Sequence, residues 1–326
     1  MPCDMDHHRR AGARVAVAII LVACAAACGP AAQTPVPAAT TPTARLGAVL
    51  VADPAHGDLV FFGGRARSGV EGDTWLWTAG RWRRVPTPGA PLARSFAAAA
   101  PDGRGGVILF GGDPSDPRGT HDDTWRWDGT RWSELHPRTV PDDGAFRTMA
   151  QGPDGIPVLV VFRADGVVRT WTWDGTAPAG GDWRPAPGSS APPWRDDAGL
   201  VADRASHRLL LTGGIPEQGT RAGDTWAWDG SAWSELHPAH RPAGGPVATA
   251  DLPAGPLLYE QDGTWTWSGD DWTLAQPSGR PPWLPYSALA AIPGAARGHA
   301  VAILLTGAAG AAGRTWDWDG LRWAEG

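Results

Sequence analysis

The stretch DDTWRWDGTRWSEL, residues 122–135, holds three tryptophans within eight positions. A Trp-x-Trp pair followed by a third Trp occurs six times and uses 18 of the 20 Trp residues of the 326-residue chain. The pairs begin 39 to 55 residues apart, so the chain is built from an internal repeat. The pairs begin at Trp75, Trp125, Trp171, Trp226, Trp265 and Trp316, and their third members are Trp82, Trp132, Trp183, Trp233, Trp272 and Trp323.

Each repeat predicts four antiparallel strands. An apolar run that often ends in Gly-Gly, such as VILFGG at 107–112, indicates a strand and a sharp turn. The Trp pair forms the next strand, with both indoles on one face. Asp-Gly after the pair, as at Asp128-Gly129, predicts a hairpin into a strand that carries the third Trp. A weaker strand, such as SFAAAA at 95–100, precedes the apolar run.

A hydrophobic strand ending in Gly-Gly, then W-x-W-D and W-x-x-L, at a spacing near 50 residues, resembles the Kelch repeat. The resemblance covers residues 44–326 and implies an all-β fold, a six-bladed Kelch-type β-propeller with four antiparallel strands per blade. The Gly-Gly step is replaced in blades 3, 5 and 6. We expect the ring to close by packing of blade 1 against blade 6, without an exchanged strand. The predicted blades span about 44–88, 89–137, 138–187, 188–238, 239–277 and 278–326.

The first 43 residues have the character of a targeting segment and a tether. Three arginines precede an apolar stretch of 14 residues at 15–28, which is too short to span a membrane. Leu21-Val22-Ala23-Cys24 resembles the lipobox of bacterial lipoproteins, which implies cleavage after residue 23 and lipidation of Cys24. Cys28 is a second, weaker match, and an ordinary secretory signal is the alternative. Residues 24–43, rich in Pro, Thr and Ala, predict an extended tether.

The composition of the chain, and the scattered positions of its His, Cys and acidic residues, favour a binding function over catalysis. The formal net charge of −6 carries no basic run, so nucleic acid is not an expected partner. No Cys follows residue 28, and no spacing of His or Cys predicts a metal ligand set, so we predict no cofactor, metal or catalytic residue. Adjacent acids, including Asp122-Asp123 and Asp196-Asp197, are expected in solvated loops.

We therefore predict an extracytoplasmic, membrane-tethered propeller that binds a protein or glycan. The alternative is a glycan-active hydrolase or lyase that resembles sialidases, another six-bladed class. Ser68 to Trp75 comes near the sialidase Asp-box but has Val70 where the Asp belongs.

Candidate ligand residues lie at the start of the predicted innermost strands. Arg45, Arg94 and Arg195 each precede an Asp by eight residues, and Arg147 falls within one residue of the equivalent position in blade 3. We expect these arginines to ring the channel mouth and bind an anionic peptide or glycan; the alternative is that they tie the blades together through backbone carbonyls. Three aromatic residues are expected beside them, two as stacking walls in Pro-Pro-Trp segments and one close by: Trp194, Trp283 and Tyr286.

Overall fold

The computed structural model describes residues 40–114, 121–142, 144–188, 191–219, 221–284, 287–295, 301–308 and 310–326. Cys24, Cys28 and Tyr286 lie outside the described residues, so the predictions made for them are not addressed by the structure. Within the described ranges, no helix has the length and apolar character needed to cross a membrane.

Six antiparallel sheets, each built on four main strands, confirm the predicted all-β, six-bladed propeller. In every sheet the strand order follows the chain, from an innermost to an outermost strand. The strands are Val49–Asp53, Asp58–Phe62, Thr74–Thr78 and Arg81–Val85 in blade 1; Ala98–Pro101, Val107–Pro114, His121–Trp127 and Trp132–Leu135 in blade 2; Phe146–Gln151, Pro157–Phe162, Val168–Asp174 and Asp182–Pro185 in blade 3; Arg195–Asp203, Arg208–Pro216, Thr225–Trp228 and Trp233–Leu236 in blade 4; Ala248–Leu252, Gly255–Glu260, Gly263–Trp267 and Trp272–Ala275 in blade 5; and Ala288–Ala291, Ala302–Thr306, Arg314–Trp318 and Trp323–Glu325 in blade 6.

Three small elements supplement the blades. Arg94–Ser95 pairs with the end of the second strand of blade 2, Arg65–Ala66 forms a hairpin with Gly69–Val70, and a 3-10 helix covers Pro178–Gly180. That helix lies in the hairpin of blade 3, and it accounts for the five extra residues between the Trp pair and the third Trp in that repeat.

The innermost strands of successive blades contact one another around the ring, and the innermost strand of blade 1 contacts that of blade 6. Because the strands run up and down, the innermost strand begins on the same face on which the loop between the second and third strands lies. We call this the front face. The turn after the innermost strand and the hairpin before the outermost strand lie on the opposite, back face.

The repeated tryptophans form the interfaces between blades. Trp127 and Trp132 of blade 2 pack with Val60 and Phe62 of blade 1, and the other blades repeat this arrangement. In all six blades the second and third Trp rings lie with their centroids 5.0 to 5.5 Å apart. The dense Trp pattern is therefore explained by the need for large side chains between sheets that have no helices to cover them.

A hydrogen bond accompanies each Trp interface. The indole N–H of the third Trp donates to the hydroxyl of the Thr that precedes the Trp pair of the preceding blade, at 2.8 to 3.0 Å. All six repeats contain this Thr, which the sequence analysis overlooked. The pairs are Trp82–Thr315, Trp132–Thr74, Trp183–Thr124, Trp233–Thr170, Trp272–Thr225 and Trp323–Thr264.

The ring closes as predicted in one respect and differs in another. The sheets of blades 1 and 6 are each completed by strands of their own repeat, and Leu59, Phe61 and Trp82 of blade 1 pack with Ile303 and Leu305 of blade 6. Packing is not the whole closure, however. Residues 42–44 exchange backbone hydrogen bonds with residues 310–313 of blade 6, so a short N-terminal segment also pairs across the seam.

Candidate functional site

Three of the predicted arginines lie inside the blades on the front face. Arg94 donates through Nη1 and Nη2 to the two carboxylate oxygens of Asp123, at 2.5 and 2.9 Å. Arg195 forms the same bidentate pair with Asp224, at 2.6 and 2.8 Å, and Arg45 forms it with Asp73. In each case the Asp stands two residues before the Trp pair of the same blade.

The glycines explain how these arginines are accommodated. Nη1 of Arg94 also donates to the carbonyl of Gly111, at 2.9 Å, and Arg45 and Arg195 do the same to the first glycine of their own blades. The second glycine of the pair, Gly112 in blade 2, has φ +115° and would bring a Cβ to 3.1 Å from the Arg94 side chain. The Gly-Gly step therefore makes room for the buried Arg as well as a turn.

The charges of these Arg–Asp pairs are balanced within the protein. Burial alone would raise the pKa of Asp73, Asp123 and Asp224, but the hydrogen bonds and charge of the paired Arg outweigh burial, and each pKa lies below its usual value. Nε of Arg94 and of Arg195 donates to a nearby backbone carbonyl as well. These guanidinium groups thus have internal partners along their whole donor edge.

Arg147 is also buried, and it reaches from blade 3 to blade 2. Its Nη1 donates to the carbonyl of Phe96, at 3.2 Å, and its Nη2 donates to the carbonyl of Gly144. For all four arginines the geometry favours the alternative given above, a structural tie. A role for them in anion binding stays a prediction that their surroundings do not support.

The two unpatterned tryptophans lie at matching blade boundaries on the front face, and we call each of these boundaries, with its two aromatic rings, a cleft. Trp194, between blades 3 and 4, meets Phe146 edge-on at a centroid distance of 5.6 Å, and its indole N–H is buried without a partner in the described chain. Trp283, between blades 5 and 6, lies 5.5 Å from Tyr259, whose hydroxyl donates to the carbonyl of Pro281. Both tryptophans are half-buried, so each offers part of its ring to solvent.

Each blade also places the first Trp of its pair near the front face, and the partner of its indole N–H differs among blades. In blades 1, 2 and 4 the acceptor is the Arg-bound Asp, at 2.6 to 2.8 Å. In blade 5 it is Glu260, at 2.9 Å, whose carboxylate is held by the backbone N–H groups of Ala243 and Gly244. Burial raises the pKa of this Glu260 carboxyl.

Blades 3 and 6 have no such acceptor. The position two residues before the Trp pair is Arg169 in blade 3 and Arg314 in blade 6. The indole nitrogens of Trp171 and Trp316 are buried and have no hydrogen-bond partner among the described residues. The Arg-for-Asp exchange, which leaves these two donors unpaired, is visible in the sequence but was not noticed there.

The described part of the central channel presents few charged or metal-binding side chains. It encloses a cavity of about 550 Å³ lined by all six innermost strands, with many alanines. Its charged lining includes Arg204 and Asp251, which pair with each other at 2.8 Å between Nε and Oδ2. The described residues contain no group of three His, Cys, Asp or Glu that could hold a metal ion.

The expectation that adjacent acids lie in loops is wrong for two pairs. Asp122-Asp123 belongs to the third strand of blade 2, where Arg94 holds Asp123, and Asp196-Asp197 belongs to the innermost strand of blade 4. Asp197 has φ +48°, a conformation that Asp tolerates better than most residues, and the strand register is the same on both sides of it. Burial and the neighbouring charge of Asp196 raise the pKa of Asp197 to about 6.

Comparison with known proteins supports the fold but not a family. No protein-family model matches the chain, and no curated protein matches it, so the Kelch resemblance stays a prediction. Among solved structures, the chain is similar to the SapL1 lectin in complex with alpha methyl fucoside, at 15% sequence identity and a TM-score of 0.58. The similarity covers 87% of this chain and 96% of the lectin chain.

Proposed function

We propose that this protein is a glycan-binding propeller, held outside the cytoplasm by a lipid on Cys24. The observation that carries the proposal is the pair of matching aromatic contacts on the front face, Trp194 with Phe146 and Trp283 with Tyr259, in which each Trp is half-buried. Each cleft combines a half-exposed indole with a second aromatic ring that holds it in place. Binding sites for small ligands combine such apolar walls with a few polar groups that fix orientation.

The surroundings of the clefts suit a sugar better than an apolar ligand. Trp226 lines the first cleft and donates its indole N–H to Asp224, while Trp316 lines the second beside Arg314. Indoles and guanidinium groups next to carboxylates supply both donors and acceptors for hydroxyl groups, and the aromatic faces supply contact for the C–H faces of a sugar ring. A lectin of the same overall fold, which binds alpha methyl fucoside, is consistent with this use of a propeller, although fold by itself does not decide function.

A glycan array tests the proposal. We expect the mature protein to bind a subset of glycans, and Trp194→Ala or Trp283→Ala to weaken capture by about fivefold for the cleft concerned, because one aromatic contact contributes about 1 kcal/mol. Leu321→Ala is the matched control, since Leu321 is a large apolar residue, 82% exposed, in a back-face hairpin. Unchanged glycan capture by both Trp variants would move the site elsewhere, and capture of proteins but no glycans would refute the glycan ligand.

The location is tested separately. Metabolic labelling with a fatty-acid analogue should mark the wild type and not Cys24→Ala. Normal labelling of Cys24→Ala would move the modified residue to Cys28, and an unlabelled wild type would indicate a secreted protein.

A further inference from the structure

Four blades hold a carboxylate near the front face, and no described residue supplies one at the equivalent position of the other two. In blades 1, 2, 4 and 5 a carboxylate oxygen of Asp or Glu accepts the indole N–H of the first Trp. In blades 3 and 6 the same buried donor is unpaired within the described chain, and an Arg replaces the Asp. An unpaired buried donor costs free energy, so each of these positions favours an acceptor supplied from outside the chain.

The corresponding position is reached from solvent in the blades that are complete. The side chains of Asp123 and Asp224 are 23% and 22% exposed although they accept the indole N–H. A carboxylate beside this indole is therefore at the protein surface and not within the core. In blade 6 the indole N–H of Trp316 is itself buried beneath the half-exposed Arg314 side chain, so a ligand carboxylate reaches the same position when that side chain turns aside.

The first Trp of the pair is more accessible to such a ligand in blade 6 than in blade 3. Trp316 is half-buried and shares its cleft with Trp283, whereas Trp171 is only 6% exposed. The guanidinium of Arg314 lies 5.5 Å from the Trp316 ring centroid and donates to Glu325 through Nε and Nη2. Its Nη1 edge has no hydrogen-bond partner among the described residues, and a guanidinium can hold a second carboxylate on that edge.

The Glu325 carboxylate shares Arg314 with the expected ligand, and its charge partly offsets that of the guanidinium. Its hydrogen bonds from Arg314 hold the pKa of Glu325 below the usual value, so it is ionised and paired. In blade 3, Arg169 is held by Asp142, which also lies 3.6 Å from Arg163. Arg169 and Arg314 are thus each paired with one carboxylate and are similarly exposed, so the preference for blade 6 rests on the half-buried Trp316.

We propose that the cleft between blades 5 and 6 binds the carboxylate of an acidic sugar, such as a uronic acid residue within a glycan. The indole N–H of Trp316 and Nη1 of Arg314 donate to that carboxylate, which takes the position that Asp occupies in blades 1, 2 and 4. Trp283 borders the same cleft and contacts the sugar ring. This inference rests on the proposed glycan-binding function and specifies the ligand class of one cleft.

The test compares an oligogalacturonate with a neutral oligogalactoside of the same length, by titration calorimetry on the mature protein. We expect the acidic oligosaccharide to bind about tenfold more tightly than the neutral one, with a preference that falls as salt is raised. Trp316→Phe removes the indole N–H and keeps an aromatic ring, and Arg314→Gln removes the charge at a half-exposed position. Each should abolish the tenfold preference. Arg314→Asp, which supplies the missing carboxylate from the chain, should abolish binding of the acidic oligosaccharide.

Trp171→Phe is the matched control, because it removes the equivalent unpaired donor from blade 3. It should leave the acid preference unchanged, and an equal loss in this variant would overturn the assignment to blade 6. Equal binding of the acidic and neutral oligosaccharides would overturn the inference and leave the proposed glycan-binding function standing. Failure to bind any member of a glycan array would refute the proposed function itself. Melting temperatures of all variants identify any loss that comes from misfolding.

Discussion

The Trp–Thr hydrogen bonds between blades and the Arg–Asp–Trp units within blades arise from the same repeat, yet they differ in how often they occur. The Trp–Thr bond is present at all six interfaces, including the seam between blades 6 and 1. The Arg–Asp–Trp unit is formed by described residues of blades 1, 2 and 4. In blades 3 and 6 an Arg stands in place of its Asp.

The difference follows from what each contact joins. A Trp–Thr bond connects two blades, and a ring in which every blade contacts only its neighbours has no dispensable interface. An Arg–Asp–Trp unit stabilises the front of one blade and can be replaced without opening the ring. The front face is therefore the part of the propeller in which residues can change to suit a ligand.

The largest effect is expected from a Trp at an interface. Trp183 is completely buried, 5.0 Å from Trp173 and 5.6 Å from Phe110 between ring centroids. Trp183→Ala should lower the free energy of unfolding by about 3–5 kcal/mol, because it removes a large buried side chain and leaves a cavity. Urea denaturation measures it. Trp194→Ala, which truncates a half-buried Trp on the front face, should cost less than half as much, and an equal cost would contradict the distinction between interface and face.

The second prediction tests the Arg–Asp–Trp unit of blade 4. Arg195→Ala leaves the carboxylate of Asp224 without its cation, and we expect a loss of about 2–3 kcal/mol at pH 7. Because Arg195 holds the folded-state pKa of Asp224 below its unfolded value, this stabilisation is present above the unfolded pKa, near 4, and is lost as the pH falls through the folded pKa. The difference between the variant and the wild type should shrink in acid. A difference that does not vary with pH would show that the ion pair is not its source.

A double variant of Arg94 and Arg195 tests whether the predicted arginines stabilise the blades or bind a ligand. The double variant Arg94→Ala, Arg195→Ala should lower the melting temperature and leave glycan capture by the folded fraction unchanged. Lost capture at wild-type stability would restore the anion-binding role that the buried geometry does not support.

The sequence analysis predicted the blades but did not predict the Arg–Asp contacts that form within them. Spacing of the Trp pairs is enough to count blades and strands, because the hydrophobic period is local. Arg94 and Asp123 are 29 residues apart and meet only once the blade has formed. A signal was nevertheless present, since the Asp two residues before the Trp pair occurs in the blades that carry Arg45, Arg94 and Arg195.

The clefts were less accessible to sequence reasoning. Trp194 and Trp283 were selected because they fall outside the repeat, and the structure gives each an aromatic neighbour from the preceding blade. Phe146 and Tyr259 could not be chosen as these neighbours beforehand, because contacts between blades depend on the rotation of one sheet relative to the next. Local patterns do not specify that rotation.

A smaller, opposite effect is expected at Asp197 in the innermost strand of blade 4. Burial and Asp196 raise the folded-state pKa of Asp197 to about 6, so the folded protein binds this proton more tightly than the unfolded chain. The contribution of Asp197 to the stability of the wild type should therefore decline as the pH rises from about 4 to about 6. Asp197→Asn keeps a residue that tolerates φ +48° and removes the charge. A rise of about two pKa units corresponds to about 3 kcal/mol, which solvent screening of the half-buried Asp197 reduces. The variant should therefore be more stable than the wild type by about 1–2 kcal/mol above pH 6 and equal to it below pH 4. Thermal melts across this range measure the difference, and equal stability at pH 8 would argue against a desolvated Asp197.

The smallest effect tests whether the closing seam is equivalent to the other interfaces. Thr315→Val removes the acceptor of Trp82 between blades 6 and 1, and Thr225→Val removes the acceptor of Trp272 between blades 4 and 5. Each change leaves a buried indole N–H unpaired and should cost about 1 kcal/mol. At the seam, residues 42–44 add backbone hydrogen bonds to residues 310–313, which hold the two blades together when the Thr is lost. We therefore expect the two variants to be equally stable in urea denaturation. A much larger loss for Thr315→Val would mean that the seam is the weakest interface of the ring, and that regular spacing of the Trp–Thr bonds does not imply equal strength.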